Sequence, residues 1–462
     1  MKSTELKPTK ENLISTLKDD LLDRNADIFA FADILNRVEG SYSIALDSPW
    51  GSGKTFFVKH TAMLLNSFNP LYDGDYKDCI EDIKSIVPET SLEAFSGLHK
   101  AVYYDAWEND NQDIDPILSL IYQISKSEKA EFKFDSKNNW ISIGEQIADF
   151  FLRSTPWGIN KIFSKVNPFT YIKKIRDSNK KINPFEDIDN EESLHYLINE
   201  FFDKLIVEHA NRLVIFVDEL DRCNPHFAVK LLERIKHYFT DDRITFVFSI
   251  NKKQLQSTIK QFYGTDFQSC RYLDRFFDMQ ISLPKADLSK YYSSIGIDNK
   301  KSTYELVCLD FISNYNLSLR EIPKYLRMVD LIMADVPYLE SIPIGNSYLK
   351  QRGNIYSLYL ILPILIGLKM IDLDLYENFI NGEDESCLIK VFKNSNFSHL
   401  PYASEVGLGS EVSINSKSSI LKRIYRTIFL SKEKEFSLSY LIITSSIKQE
   451  LIDKINILSI DN

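Results

Sequence analysis

The densest chemistry in the chain lies in Ser48-Pro49-Trp50-Gly51-Ser52-Gly53-Lys54-Thr55, followed by Phe56. Gly51 and Gly53 let backbone N–H groups curl around phosphate oxygens, and a helix opening at Lys54 adds positive potential there. Lys54 reaches toward β- and γ-phosphates, and Thr55 offers a hydroxyl to Mg²⁺. Such loops usually open on glycine, where this chain has Ser48. A chance Gly-Lys-Thr in a surface turn is the plain alternative.

A second cluster follows the apolar run Arg212 to Val217, namely Asp218, Glu219 and Asp221. In a sheet that binds phosphates, Asp218 falls where a Mg²⁺-orienting carboxylate belongs and Glu219 where a water-activating base belongs. Three further places carry candidates. Asn251 ends another apolar run, where it can sense a γ-phosphate or cap the next helix. Arg271 and Arg275, four residues apart, share one face of an expected helix and can act as arginine fingers, or pair with Asp274 and Asp278. Arg320, at a helix start, can fold back on a nucleotide.

These residues need a parallel sheet to position them. The alternating Tyr42, Ile44 and Leu46 precede the loop, and Ala101 to Asp105, Arg212 to Asp218 and Arg243 to Ile250 read as further strands. Strands this apolar are buried on both faces, and ligands of such sheets bind at the C-terminal edge. Trp107, just past a strand end, is expected in the core, with a ligand contact as the alternative. Ile28, Phe29, Phe31, Ile34, Leu35 and Val38 space a lead-in helix over residues 1–40, in which Asp20 to Ala32 is a candidate wall for a base. Residues 41–285 form the expected α/β core. Residues 286–462 read as helical throughout, including Leu438 to Leu458.

With 462 residues, 44% hydrophobic and 26% charged, the chain has the composition of a globular protein of two or three domains. A net charge of −10 excludes a protein that coats DNA over its whole surface. Five scattered cysteines and no C-x-x-C spacing favour a reducing cytoplasm over a disulfide framework. Seven dispersed histidines form no metal-ligand pattern, and no nuclease, deaminase or protease constellation is present. Residues 1–8 lack an apolar signal core, and Ile355 to Leu368 falls short of the about 20 residues of a spanning helix, so a buried core helix is expected there.

Between about 126 and 192 the composition changes. Residues 153–181 hold eight Lys/Arg and one acid, Asp177, interleaved with Trp157, Phe163, Phe169 and Tyr171. Such an island serves a membrane surface, a nucleic acid or a partner, or is a solvated hairpin with buried aromatics.

Four stretches together resemble the KAP family of P-loop NTPases: Pro49 to Thr55, Tyr104-Asp105-Ala106-Trp107, Val217 to Cys223, and Tyr272-Leu273-Asp274-Arg275 with Ser282-Leu283-Pro284. The resemblance implies an AAA-like or STAND-like sheet with an additional strand, a helical lid, and ATP with Mg²⁺ as ligands. It also implies work at membranes or in bacterial defence against phage. The chain departs from the family pattern at Ser48, at Asp105 in place of an Asn, and at Glu219 in place of an Asp, which leaves Glu219 and Asp221 both open as the base. Many relatives carry spanning helices where this chain has its basic segment, so a soluble branch is expected, cytoplasmic or peripheral to a membrane. The expected function is a Mg²⁺-dependent ATPase switch, regulating a separate effector protein in antiphage defence and open to homo-oligomer assembly. The alternative is an ATP-binding scaffold with little turnover that docks on membrane or nucleic acid through residues 140–181.

Overall fold

The computed structural model describes residues 6–111, 115–131, 195–204, 206, 210–239, 241–284, 286–294, 303–392, 414–431, 434–438 and 440–456. The basic island at 153–181 lies outside them. The chain divides into two compact units, one of Lys7–Lys290 and one of Tyr291–Asn462 together with Met1–Leu6.

Five parallel strands organise the first unit: β1 (Tyr42–Asp47), β2 (His99–Asp105), β3 (Arg212–Asp218), β4 (Ile244–Ile250) and β5 (Met279–Ser282). Their order across the sheet is β2-β3-β4-β1-β5, so β4 is the additional strand between the loop-bearing strand and the acidic one. Helices cover both faces, which is why Leu213–Asp218 and all of β4 are buried without alternation. The core is rich in rings: Phe202, Phe239, Phe246 and Phe248 pack one against the next.

Two lead-in helices, Lys10–Lys18 and Asn25–Arg37, precede β1. The turn between them places Asp20 and Asp23 in the left-handed region, and the Asp20 carboxylate accepts the N–H groups of Arg24 and Asn25 at 2.9 and 3.1 Å. The first lead-in helix is tied to the loop helix Lys54–Ser67 by His60, whose Nε2 lies 2.9 Å from the Leu13 carbonyl and 3.0 Å from the Thr16 hydroxyl. The polar stretch after that helix contains a short helix, Ile80–Ser85, before β2 begins.

The second unit centres on the helix Leu349–Ile371, buried along Ile355–Leu368. By length and composition Asn346–Ile371 could cross a membrane, but 78% of its apolar window is buried among the unit's other elements. Pro363 sits inside this helix, its carbonyl accepting the Tyr325 hydroxyl at 3.1 Å. The helical expectation fails near the end of the chain. Residues 435–438 and 441–444 pair as an antiparallel hairpin, β6 (Glu435–Leu438) and β7 (Leu441–Thr444), and the last helix starts only at Ile447. The β-branched Ile442, Ile443 and Thr444 favour a strand, and the hairpin backbone packs against Gly353 so closely that a Cβ there would stand 2.0 Å from the Ile442 oxygen.

Candidate functional site

At the C-terminal end of β1 the chain turns through the loop and enters Lys54–Ser67 with no side-chain cap, leaving the first N–H groups of the helix pointing into the loop. Gly51 and Gly53 have φ of +72° and +89°, a conformation that L side chains rarely adopt. Ser48 does not have a positive φ, so its side chain is accommodated without strain. The Lys54 ammonium donates to the carbonyls of Ser48 and, at 3.1 Å, Pro49, which uses two of its three N–H bonds and leaves one for a phosphate oxygen. Burial lowers its pKa, and the nearby Asp221, Asp218 and Asp47 oppose that shift. The Ser52 hydroxyl is buried without a partner among the described residues, and Phe56 packs against His60 with ring centroids 5.8 Å apart.

Asp218 ends β3, one strand beyond β4. Its Oδ2 accepts the Thr55 hydroxyl at 2.8 Å and the Tyr103 hydroxyl at 3.0 Å, while Oδ1 accepts the Glu219 N–H at 3.0 Å. The loop and the acidic strand thus meet directly. Asp105, Asp218 and Ser249 are register partners across β2, β3 and β4 and form one row at the sheet's C-terminal edge. Burial raises the pKa of Asp105, and the neighbouring Asp218 adds to this. Lys59, from the loop helix, stands 4.3 Å from the centre of the Tyr103 ring, and burial lowers its pKa.

Glu219 and Asp221 occupy different environments. Glu219 takes a left-handed backbone at φ +59°, and its carboxylate lies 3.3 Å from the Arg222 guanidinium. Asp221 is buried and accepts the Trp50 indole N–H and the Asn251 backbone N–H. Burial pushes its pKa up, while those two bonds and Lys54 pull it down. Asn251 caps the helix Lys252–Tyr263, its side chain accepting the Gln254 N–H at 3.4 Å.

Three expectations are corrected. Trp107 is not a core residue: it is 54% exposed, its ring centre 5.4 Å from the Arg222 guanidinium carbon, in a tight turn that Asp105 closes by accepting the Glu108 N–H at 2.9 Å. Arg271 and Arg275 do not share a helical face, since the helix stops at Leu273 and Arg275 falls in a following turn. Nor are Asp274 and Asp278 their partners: Asp274 pairs with Lys252 at 3.3 Å and Asp278 accepts the Ser43 N–H at 2.8 Å. Both arginines are exposed. Arg320 belongs to the second unit, at the start of the helix Glu321–Met333.

Tyr103 and Arg222 carry contacts that sequence reasoning does not assign. Alternation along β2 puts Tyr103 on the same face as Asp105, which is the available signal. Thr55 and Asp218 are both hard oxygen donors, brought together on a buried carboxylate beside a loop that can supply phosphate-binding N–H groups. That donor set fits Mg²⁺ held jointly with nucleotide phosphates. Among the described residues no group of three or more His, Cys, Asp or Glu could hold a metal by itself.

A glycine-turned loop entering a helix, an acid ending a strand two places across, and a parallel sheet with an added middle strand define a P-loop NTPase with a nucleotide-binding site of the ATPase type. The model described as the KAP family P-loop domain matches residues 24–334, more than half of the chain, and the chain belongs to that family. Among solved structures it is similar to the Aeropyrum pernix ORC2 protein in ADPNP–ADP complexes, at 13% identity and a TM-score of 0.33, covering 93% of this chain and 94% of that one. The Aeropyrum pernix ORC1 protein in complex with DNA matches at 13% identity and a TM-score of 0.34, covering 95% of this chain and 94% of that one. A point variant of Thermotoga maritima RuvB matches at 10% identity and a TM-score of 0.27, covering 96% of this chain and 95% of that one. No curated protein matches in sequence.

Proposed function

We propose that this protein is a Mg²⁺-dependent ATPase that works as a switch. The observation that carries the reading is the 2.8 Å bond joining Thr55 of the phosphate loop to Asp218, with Glu219 the next residue. Lys54 and the N–H groups of residues 51–55 bind the β- and γ-phosphates and stabilise the charge that develops on them. Thr55 and Asp218 would hold Mg²⁺, and the ion would supply neutralisation of the phosphate charge. Glu219 orients the attacking water and takes its proton, in line with the bond that breaks. Asp221, with the Trp50 and Asn251 N–H groups on its carboxylate, ties the loop to the end of β4. Asn251, Arg271, Arg275 and Arg320 are proposed as further contacts to the γ-phosphate, the arginines acting within the chain or from a second copy.

The family resemblance supports a regulatory role beside a separate effector in defence against phage, which phage challenge of cells carrying Lys54→Ala addresses. The biochemical test is direct. Purified Lys54→Ala loses nucleotide binding, and Glu219→Gln binds ATP but does not turn it over. If Lys54→Ala hydrolysed ATP as fast as the unaltered protein, the site would lie elsewhere.

A further inference from the structure

Around Glu219 three loops are joined by one cation. The Arg222 guanidinium carbon stands 5.7 Å from the centre of the Trp50 ring and 5.4 Å from that of Trp107, so both indoles lie within cation–π reach of it. Trp50 belongs to the phosphate loop and Trp107 to the turn after β2, while Arg222 closes the short 3-10 turn Leu220–Arg222 after β3. Trp50 and Trp107 are 47% and 54% exposed, whereas the side chains of the ion pair, Arg222 and Glu219, are only 18% and 15% exposed. Two exposed tryptophans thus lie within cation–π distance of a charged pair that is itself mostly buried. Cation–π contact is strongest where the cation is desolvated, and a guanidinium can lie flat on a ring while its edge N–H groups reach a carboxylate. Trp50 is itself fixed by its bond to the buried Asp221.

We propose that Arg222 is a positioning residue for ATP hydrolysis, gripped between Trp50 and Trp107 so that the orientation of the Glu219 carboxylate is set jointly by the phosphate loop and the turn after β2. The inference rests on the reading of Glu219 as the residue that orients water. Glu219 has a left-handed backbone, and the Arg222 guanidinium 3.3 Å from its carboxylate is in position to orient it. Because one indole is part of the loop, a shift of the loop on binding ATP is passed to the carboxylate through the stack. Arg222 contacts neither phosphate nor water in this scheme. Its effect falls on kcat and not on ATP affinity.

Steady-state ATPase kinetics and ATP affinity of the full chain test this, with Arg222→Ala, Trp107→Leu, Trp107→Phe, Glu219→Gln and the double variant Arg222→Ala/Glu219→Gln. Misplacing a catalytic group by a fraction of its contact distance costs roughly tenfold to a hundredfold. Arg222→Ala is expected to lose that much in kcat with KM and Kd for ATP within about threefold. Trp107→Leu is expected to lose roughly tenfold in kcat, and Trp107→Phe, which keeps a π face, to recover most of it. In the Glu219→Gln background Arg222→Ala is expected to add nothing, because the group it positions is gone. Trp107 is a surface residue, so its pair of variants reports even if Arg222→Ala folds poorly. Wild-type kcat in Arg222→Ala, equal kcat in Trp107→Leu and Trp107→Phe, or a full Arg222→Ala loss persisting in the Glu219→Gln background would each overturn the proposal. Wild-type kcat in Glu219→Gln would instead overturn the role given to Glu219.

Discussion

Asp221→Asn separates the two carboxylates that sequence leaves open as the base. The Asp221 carboxylate is buried, receives the Trp50 indole N–H and the Asn251 backbone N–H, and faces Lys54 as its principal counter-charge. Asparagine keeps the shape but removes the charge, so the Trp50 N–H loses its charged acceptor and Lys54 loses its counter-charge. A hydrogen bond to a charged group contributes about 1.5–3 kcal/mol, and the expected loss is therefore about 2 kcal/mol. For domains of about 150–250 residues each kcal/mol moves Tm by about 2–4 °C, so Tm should fall by about 4–8 °C. Turnover should fall by no more than about tenfold, because the group holds the loop and does not touch the water, whereas removing a general base costs roughly 10²–10⁴. Scanning calorimetry and a phosphate-release assay on Asp221→Asn and Glu219→Gln read both quantities. Asp221→Asn with unchanged Tm, unchanged ATP affinity and a hundredfold loss of kcat would refute the reasoning and make Asp221 the base.

Three other outcomes follow from the structure. Gly53→Ala forces a Cβ into φ +89°, a strain of about 1–2 kcal/mol, and should weaken ATP binding about tenfold in a titration with a fluorescent analogue. Burial lowers the pKa of His60 and of His99 from 6.5 to about 4, so on acidification the unfolded chain takes up protons first. Stability is then fully present above pH 6.5 and falls as pH drops toward 4, by about 3 kcal/mol for each histidine; Tm measured between pH 7 and 4.5 should decline, and His60→Leu should flatten part of that slope. Gly353→Ala drives a methyl group to 2.0 Å from the Ile442 oxygen, and since neither backbone can yield cheaply the C-terminal unit should lose about 1–3 kcal/mol in denaturant titrations.

The parts of this protein that sequence displays are those where one strand or one turn carries the whole signal. Buried parallel strands read as unbroken apolar runs, so β3 and β4 are visible by inspection, and the acid at the end of β3 marks the sheet's working edge. What sequence hides is pairing between distant segments. Nothing near Trp50 shows that its N–H meets Asp221, and nothing near Trp107 shows that a guanidinium will hold it at the surface instead of the core. The hairpin at 435–444 escapes a sequence reading because Leu441, Ile442 and Ile443 satisfy a helical apolar period as well as a strand's, and packing against Gly353 decides between them. Arg275 reads as helical because i, i+4 spacing cannot reveal that the helix has already ended.

The unstrained backbone of Ser48 bears on how such loops are recognised at all. A pattern that demands glycine at every small position treats the loop as one word, though only two of its letters are spelled by backbone stereochemistry, Gly51 and Gly53. The opening position is free to drift among small residues with no penalty from φ. Searches keyed to the pair of left-handed positions before Lys-Thr, with an aromatic residue allowed just ahead of them, would gather chains that stricter spelling rules discard.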